Sequence, residues 1–493
     1  MIKRLLFIIL SSSFFLMSFA QTTDSYEIEI NIHEYQDSVI YLANYYGDKT
    51  YLADTAIDLS GKGHFVFSKE KELEGGLYII VSQSRKSLFE FLVADSRNMK
   101  FETSMEGLIE NMKIENRNRN TLFYDWENMK IENSNENAIF YDYLRYSGDL
   151  YTKVKPINEK LKRLDPESDS SKLLKDELTN MNLEMVDYKM ALMEKHPETF
   201  LTNFFGLLKD PSIPDTLLTL PDGTKDSAYP YRYYKQHYWD DVKLSDDRLI
   251  RTPVFHKKLD TYFDKVILKD ADTIIAEIDR LLAQMNEKGD LYKFSLWHLT
   301  IKFDESQIMG HDAILVYLSD HYFSKGKAAW LNEGVVKNIM DEADKRRSTI
   351  IGSQAPNLIM QDTNLKLQSL YDLQNDFVVL YFWDPQCGHC KEETPKLVDF
   401  YKESAKELNL EIFAVCADTN MAKMKDYITK RKMNFVNVNG PRGFTSDYHD
   451  LYNIFSTPVV LVLDKKKKII AKRIQADQLQ GFIENYIKYE LKE

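Results

Sequence analysis

The chain has 493 residues, 44% of them hydrophobic, which is enough for more than one core and for two to four domains. Lys and Arg total 64 against 76 Asp and Glu, and the net charge of −12 disfavours nucleic acid as a partner. Three cysteines are too few for a scaffold stapled by disulfides, so any bridge they form is a reactive one.

In chain order, residues 1–20 read as an export signal. Lys3 and Arg4 precede an apolar run from Leu5 to Met17, and Ser18-Phe19-Ala20 offers small residues for cleavage before Gln21. An uncleaved anchor is the alternative, disfavoured because the run is shorter than the ~20 apolar residues a spanning helix needs. No later stretch is apolar enough, so no membrane span is expected after cleavage. Residues 21–107 alternate apolar and polar side chains in short runs such as Tyr26 to Ile32, His64 to Phe67 and Leu77 to Val81, separated by turns at Gly61-Lys62-Gly63 and Gly75-Gly76. An antiparallel β-sandwich is expected there.

Residues 108–136 hold a duplication: Asn111 to Asn116 and Phe123 to Asp125 recur as Asn128 to Asn133 and Phe140 to Asp142, with no chemistry attached. From 137 to 347 the periodicity is helical, and an all-α domain is expected. Asp272 is the expected N-cap of a helix running to Met285. The aromatic runs Tyr229 to Tyr234 and His237 to Trp239 suit core and inter-helix packing better than a ligand surface. The histidines, including His298, His311 and His321, lack metal-ligand spacing, so no metal is expected.

Residues 348–493 return to a β/α alternation, with strands at Phe377 to Phe382, Leu410 to Cys416, Pro458 to Leu463 and Lys468 to Arg473, and helices over 389–406, 421–432 and to about Leu491. Here lies the run Phe382-Trp383-Asp384-Pro385-Gln386-Cys387-Gly388-His389-Cys390, at the junction of an apolar strand and an amphipathic helix. Two cysteines so spaced can hold a dithiol or a disulfide, and the helix N-terminus favours the anion of the first. Cys387 should be the exposed nucleophile and Cys390, one turn in, the residue that resolves a mixed disulfide. Half of a zinc site is the alternative, weakened by the lack of a second cysteine pair. Cys416 reads as a buried, inert thiol.

This segment resembles the thioredoxin-like domain of the TlpA-type exported bacterial thiol–disulfide oxidoreductases. The resemblance rests on Phe382-Trp383, on Cys387-Gly388-His389-Cys390, on Pro395 five residues after the second cysteine, and on Thr457-Pro458. It implies a cis bond before Pro458, with the Thr457 backbone beside the cysteines to pair with an extended substrate peptide. Gly388-His389 matches the dipeptide of protein disulfide isomerases, and a protonated His389 would favour the Cys387 thiolate. Glu393 could accept the Cys390 proton, or be a solvated helix glutamate. Tyr381 stands where many thioredoxins carry a buried aspartate, and Gln386 replaces their usual tryptophan.

With Tyr238-Trp239, Thr252-Pro253-Val254-Phe255 and Met309-Gly310-His311-Asp312-Ala313 in the helical region between the β-sandwich and the redox domain, the whole chain is similar to multidomain envelope proteins of Bacteroidetes whose leading domains have no known function. The resemblance implies cysteine-containing envelope proteins and an upstream thiol–disulfide carrier as partners, and no cofactor beyond the redox-active Cys387-Cys390 pair. Direction of electron flow stays open. Two other classes are weighed: a thiol peroxidase, disfavoured by Leu380 and Asp384 where its motif needs proline and a hydroxyl residue, and a binding scaffold with an accessory redox domain.

Overall fold

The computed structural model describes residues 25–105, 128–214 and 218–489. The export-signal reading and the first copy of the duplication lie outside these residues. The described chain forms N-terminal sheets, a helical middle and a C-terminal α/β domain, and divides into two compact units at Asp260 and Thr261.

In the first unit, two four-stranded sheets carry the alternation seen in the sequence. Strands β1 (Tyr26–His33), β4 (His64–Lys69), β7 (Asn98–Ser104) and β8 (Lys130–Glu132) form one, in the order β4-β1-β7-β8. Strands β2 (Val39–Tyr46), β3 (Lys49–Ile57), β5 (Gly76–Ser82) and β6 (Ser87–Val93) form the other, in the order β3-β2-β5-β6. Phe65, Phe67, Phe89, Phe91 and Phe101 are fully buried, and Phe91 and Phe101 meet at 4.9 Å between ring centres. The purely antiparallel expectation is corrected at one place, since β1 and β7 run parallel. The second copy of the duplicated segment supplies β8 and leads into helix α1 (Asn135–Leu161).

Strands β5 and β6 are buried on both faces rather than one. Helix α1 covers part of β6: the Asn137 amide bonds both the N–H and the carbonyl of Leu92, each at 2.8 Å, and the Tyr141 hydroxyl donates to the Glu90 carbonyl at 2.8 Å. Helices α2 (Asp169–Lys195), α3 (Phe200–Leu208), α4 (Tyr229–His237) and α5 (Phe255–Thr261) follow. A short turn at Asp247–Arg251 presses on the start of β5, where Gly76 has φ 151° and a Cβ there would stand 2.4 Å from the Arg251 Cβ. The expected single helical domain over 137–347 is therefore split, its first part packed on the sheets. The aromatic expectation also divides. Tyr238 and Trp239 are core, but α4, which carries Tyr229 to Tyr234, buries no residue fully.

In the second unit, helices α6 (Ala271–Leu282), α7 (Asp290–Asp304), α8 (Asp312–Leu318) and α9 (Glu333–Arg347) precede the α/β domain. The N-cap of α6 is Asp270, which accepts from the Thr273 N–H at 2.8 Å, two residues before the expected Asp272. His311 is a structural histidine, its ring nitrogens each 2.8 Å from the Ser306 hydroxyl and the Lys269 carbonyl. The half-buried Lys472 ammonium pairs with Asp312 and donates to the Thr349 carbonyl at 3.0 Å, tying this helical part to the domain that follows.

That domain is a seven-stranded sheet of β9 (Ile359–Asp362), β10 (Leu367–Ser369), β11 (Phe377–Trp383), β12 (Leu410–Cys416), β13 (Val436–Gly443), β14 (Val459–Asp464) and β15 (Ile469–Lys472). The order is β10-β9-β13-β12-β11-β14-β15, with β11, β12 and β13 parallel. Helices α10 (Gly388–Ser404), α11 (Met421–Arg431), α12 (Tyr448–Tyr452) and α13 (Leu479–Tyr489) accompany it. Every residue of β11 is buried, as a central strand covered on both faces requires. Strand β11 delivers the chain to the carboxyl edge of the parallel strands, where open α/β sheets place their sites.

Candidate active site

The chain leaves β11 at Trp383, turns through Asp384 to Gln386, and enters α10 with Cys387 as N-cap. The Asp384 carboxylate accepts from the Gln386 N–H at 2.6 Å and its carbonyl from the Cys387 N–H at 3.2 Å, which sets the turn. The Cys387 sulfur then takes the place that a serine or aspartate oxygen often holds at a helix start, accepting from the Cys390 N–H at 3.4 Å. Pro395 lies inside α10, where its missing N–H and ring bend a helix.

Thr457 comes from the loop before β14, across a cis bond to Pro458. Its carbonyl accepts from the Cys387 thiol at 3.2 Å. The three cysteines are free thiols here, Cys387 half-buried and Cys390 and Cys416 fully buried. Burial opposes ionisation of Cys387, but hydrogen bonds from the Cys390 N–H and thiol, the Thr457 side chain and the His389 N–H outweigh it and hold the thiol below its ordinary value. Burial first, with Cys387 adding to it, pushes Cys390 up to about 11 against help from the Asp384 amide and the Thr457 side chain. Burial likewise pushes Cys416 up to about 12. One nucleophilic thiol and one reluctant thiol thus stand side by side.

The remaining residues singled out in the sequence fall at different distances from this chemistry. Gly388 opens the helix, and a Cβ there would meet nothing within 4 Å. His389 is exposed and reaches Cys387 through its backbone N–H. Trp383 is fully buried and stacks on Tyr427 at 5.0 Å, its indole N–H without a partner among the described residues. The Glu393 carboxylate turns away to the loop after β15: one oxygen accepts from the Ala476 N–H at 2.6 Å and the other faces Lys396 at 3.4 Å. Its partners are these two groups rather than Cys390.

Sequence reasoning passed over two residues beside Cys390. Thr394, fully buried one turn further along α10, shares a hydrogen bond of 2.8 Å with the Tyr381 hydroxyl, and the Tyr427 hydroxyl lies 3.3 Å from both the Thr394 hydroxyl and the Cys390 carbonyl. Thr394 was legible as the fourth residue after Cys390, on the same helix face. Tyr427, on α11, had no local signal.

Comparison with known proteins agrees with this geometry. The AhpC/TSA family profile matches residues 351–472, and the profile of a domain of unknown function (DUF5106) matches 186–345. Over 145 residues the chain is 30% identical to the thiol-disulfide oxidoreductase ResA of a Bacillus cereus strain, taking in 29% of this chain and 81% of that one. A solved domain of a possible thiol-disulfide isomerase from Cytophaga hutchinsonii is 36% identical, covering 29% of this chain and 97% of that one with a TM-score of 0.28. A thioredoxin-like protein from Bacteroides caccae is 19% identical, covering 56% and 100% with a TM-score of 0.42. Through its C-terminal domain the chain belongs to the thioredoxin-like thiol–disulfide oxidoreductases.

Proposed function

We propose that this protein is an exported enzyme that exchanges a Cys387-Cys390 dithiol and disulfide with protein substrates in the cell envelope. Cys387 attacks a substrate disulfide, or is itself attacked in the opposite direction, and Cys390 closes the ring that releases the product. No cofactor is needed, because the cysteine pair carries both electrons. The single observation that supports this reading most is the asymmetry of the pair: a half-buried Cys387 held below the ordinary thiol value beside a fully buried Cys390 held above it.

The cis-Pro458 loop supports a protein or peptide substrate, since the Thr457 main chain beside Cys387 is suited to bond an extended backbone. Glu393 serves this site by holding the loop around Ala476 against α10. The reading of residues 1–20 as an export signal supports an envelope location, and no helix among the described residues is long and apolar enough to cross a membrane. An upstream thiol carrier would renew the reduced pair.

Reduction of insulin by the full chain tests the reading. Wild type should turn over with a dithiol donor, and Cys387→Ser should not. Equal, negligible turnover in both would favour a binding scaffold with an accessory redox domain.

A further inference from the structure

Among the described residues, only two phenylalanines are exposed, Phe444 at 66% and Phe455 at 77%. Both belong to the stretch that leads from the end of β13 to the cis-proline. Strand β13 runs parallel to β12 and β11, so Phe444, the residue after it, emerges at the same edge of the sheet as Cys387. It stands two strands from β11, about 10 Å to the side. Phe455 comes two residues before Thr457, a span of at most about 7 Å of chain, and the Thr457 carbonyl meets the Cys387 thiol at 3.2 Å.

The main chain under both rings is anchored. The Phe444 N–H donates to the Ile359 carbonyl at 2.8 Å. Between the two phenylalanines, Tyr448 and Tyr452 are buried against Phe382 of β11, at 5.6 and 5.4 Å between ring centres, and Ile454, next to Phe455, is buried as well. The stretch is thus fixed from the inside while its two phenylalanine rings face water. A single exposed apolar side chain is ordinary, but two large rings presented by fixed backbone at the edge that carries the reactive thiol form a surface for apolar contact.

We infer that Phe444 and Phe455 form an apolar rim that selects disulfides of extended, unfolded polypeptide carrying a large apolar side chain within about two residues of the reactive cysteine. This rests on the exchange chemistry and the main-chain pairing proposed above, and names the substrate class for that site. With the substrate cysteine at Cys387 and its main chain along Thr457, side chains of an extended segment alternate at about 3.3 Å per residue, so the neighbour two positions away comes level with Phe455. An apolar side chain there leaves water together with the ring. A folded protein keeps such side chains inside, and a small hydrophilic disulfide has none to offer. A second copy of the chain seated on the rim would stand over Cys387 and block the exchange, so the continuity of the rim with Thr457 favours substrate as its occupant. In the exchange the substrate S–S bond breaks, the Cys387–Cys390 bond forms, and the two electrons and two protons of the dithiol pass to the substrate sulfurs.

Two single-cysteine peptides, each joined to its own copy by a disulfide, test this: one has leucine and phenylalanine within two residues of the cysteine, the other has serine at those places. At limiting peptide concentration the reduced full chain should reduce the apolar peptide roughly tenfold faster, the scale on which one apolar contact changes kcat/KM. In the Phe444→Ser, Phe455→Ser double variant that ratio should fall to within about twofold of one, whereas Phe455→Leu should keep most of it. Both peptides meet the same protein sample, so a loss of folded chain lowers both rates and leaves their ratio standing. A ratio near one in wild type, or a wild-type ratio that survives in the double variant, would overturn the rim and leave the exchange reading intact. A wild-type ratio near one together with a dimer in sedimentation that the double variant dissolves would assign the rim to a second copy of the chain and overturn the proposal as well. If wild type reduces neither peptide, the exchange reading itself falls, and the rim with it.

Discussion

The Cys387 sulfur lies 3.2 Å from the Thr457 carbonyl oxygen, and because a carbonyl only accepts, the contact belongs to the protonated thiol. Ionisation of Cys387 removes that proton and sets two electron-rich atoms against each other. Under the proposed function, the carbonyl would then be released to accept a backbone N–H from an incoming peptide, so that activation of the nucleophile and opening of the docking point would be one event.

It follows that Cys390→Ser should retain the first half of the reaction and lose the second. Incubated with a protein disulfide, this variant should accumulate a mixed disulfide through Cys387, visible as a covalent adduct by mass spectrometry under non-reducing conditions. Cys387→Ser should form none, since Cys390 and Cys416 are both fully buried and pushed up to about 11 and about 12.

In the sheets of the first unit, Glu90 is buried, bonded at one oxygen to the Tyr45 hydroxyl at 2.8 Å and at the other to nothing among the described residues. Burial raises it to about 7. A carboxyl whose folded value lies above its unfolded one contributes stability that is fully present below the unfolded value and lost as pH rises to the folded one. This unit should therefore lose about 3 kcal/mol between roughly pH 4 and 7 from this residue. Glu90→Gln should flatten that part of the profile, as urea titrations at several pH values would show.

The Lys472–Asp312 pair is half-buried on both sides, at 12% and 13% side-chain exposure, so removing one partner leaves a poorly solvated charge. Lys472→Met should cost the second unit roughly 1–3 kcal/mol. Adding Asp312→Leu should recover most of it, and a double-mutant cycle by chemical denaturation measures both.

Much of the redox site was readable in the sequence. The apolar run Phe377 to Phe382, the paired cysteines and Thr457-Pro458 each carry their meaning locally, and the structure brings the cysteines and Thr457 within hydrogen-bonding distance. What the sequence hid depends on distant partners. Strand β13, which carries Asn437, Asn439 and Gly440, was not among the expected strands. The Asn437 side-chain N–H groups donate to the Met433 and Phe435 carbonyls and that of Asn439 to the Asp418 carbonyl, which satisfies the amide nitrogens inside the sheet, while both Oδ1 atoms are buried without a partner among the described residues. The spacing of Glu393 from Cys390 suggested a proton acceptor, but its strongest partner, Ala476, lies 83 residues away. The division at Asp260 was equally silent, because helical periodicity is the same on either side of it. Long-range contacts decide it, with Arg251 against Gly76 in one unit and Lys472 against Asp312 in the other.

The most direct test of the account is the pH dependence of Cys387 alkylation in the reduced chain, followed by peptide mass mapping. Half-maximal reactivity should fall below the value of about 8.5 for a free cysteine, with Cys390 and Cys416 unmodified over the same range. A midpoint at or above the free-cysteine value, or equal labelling of all three thiols, would contradict it.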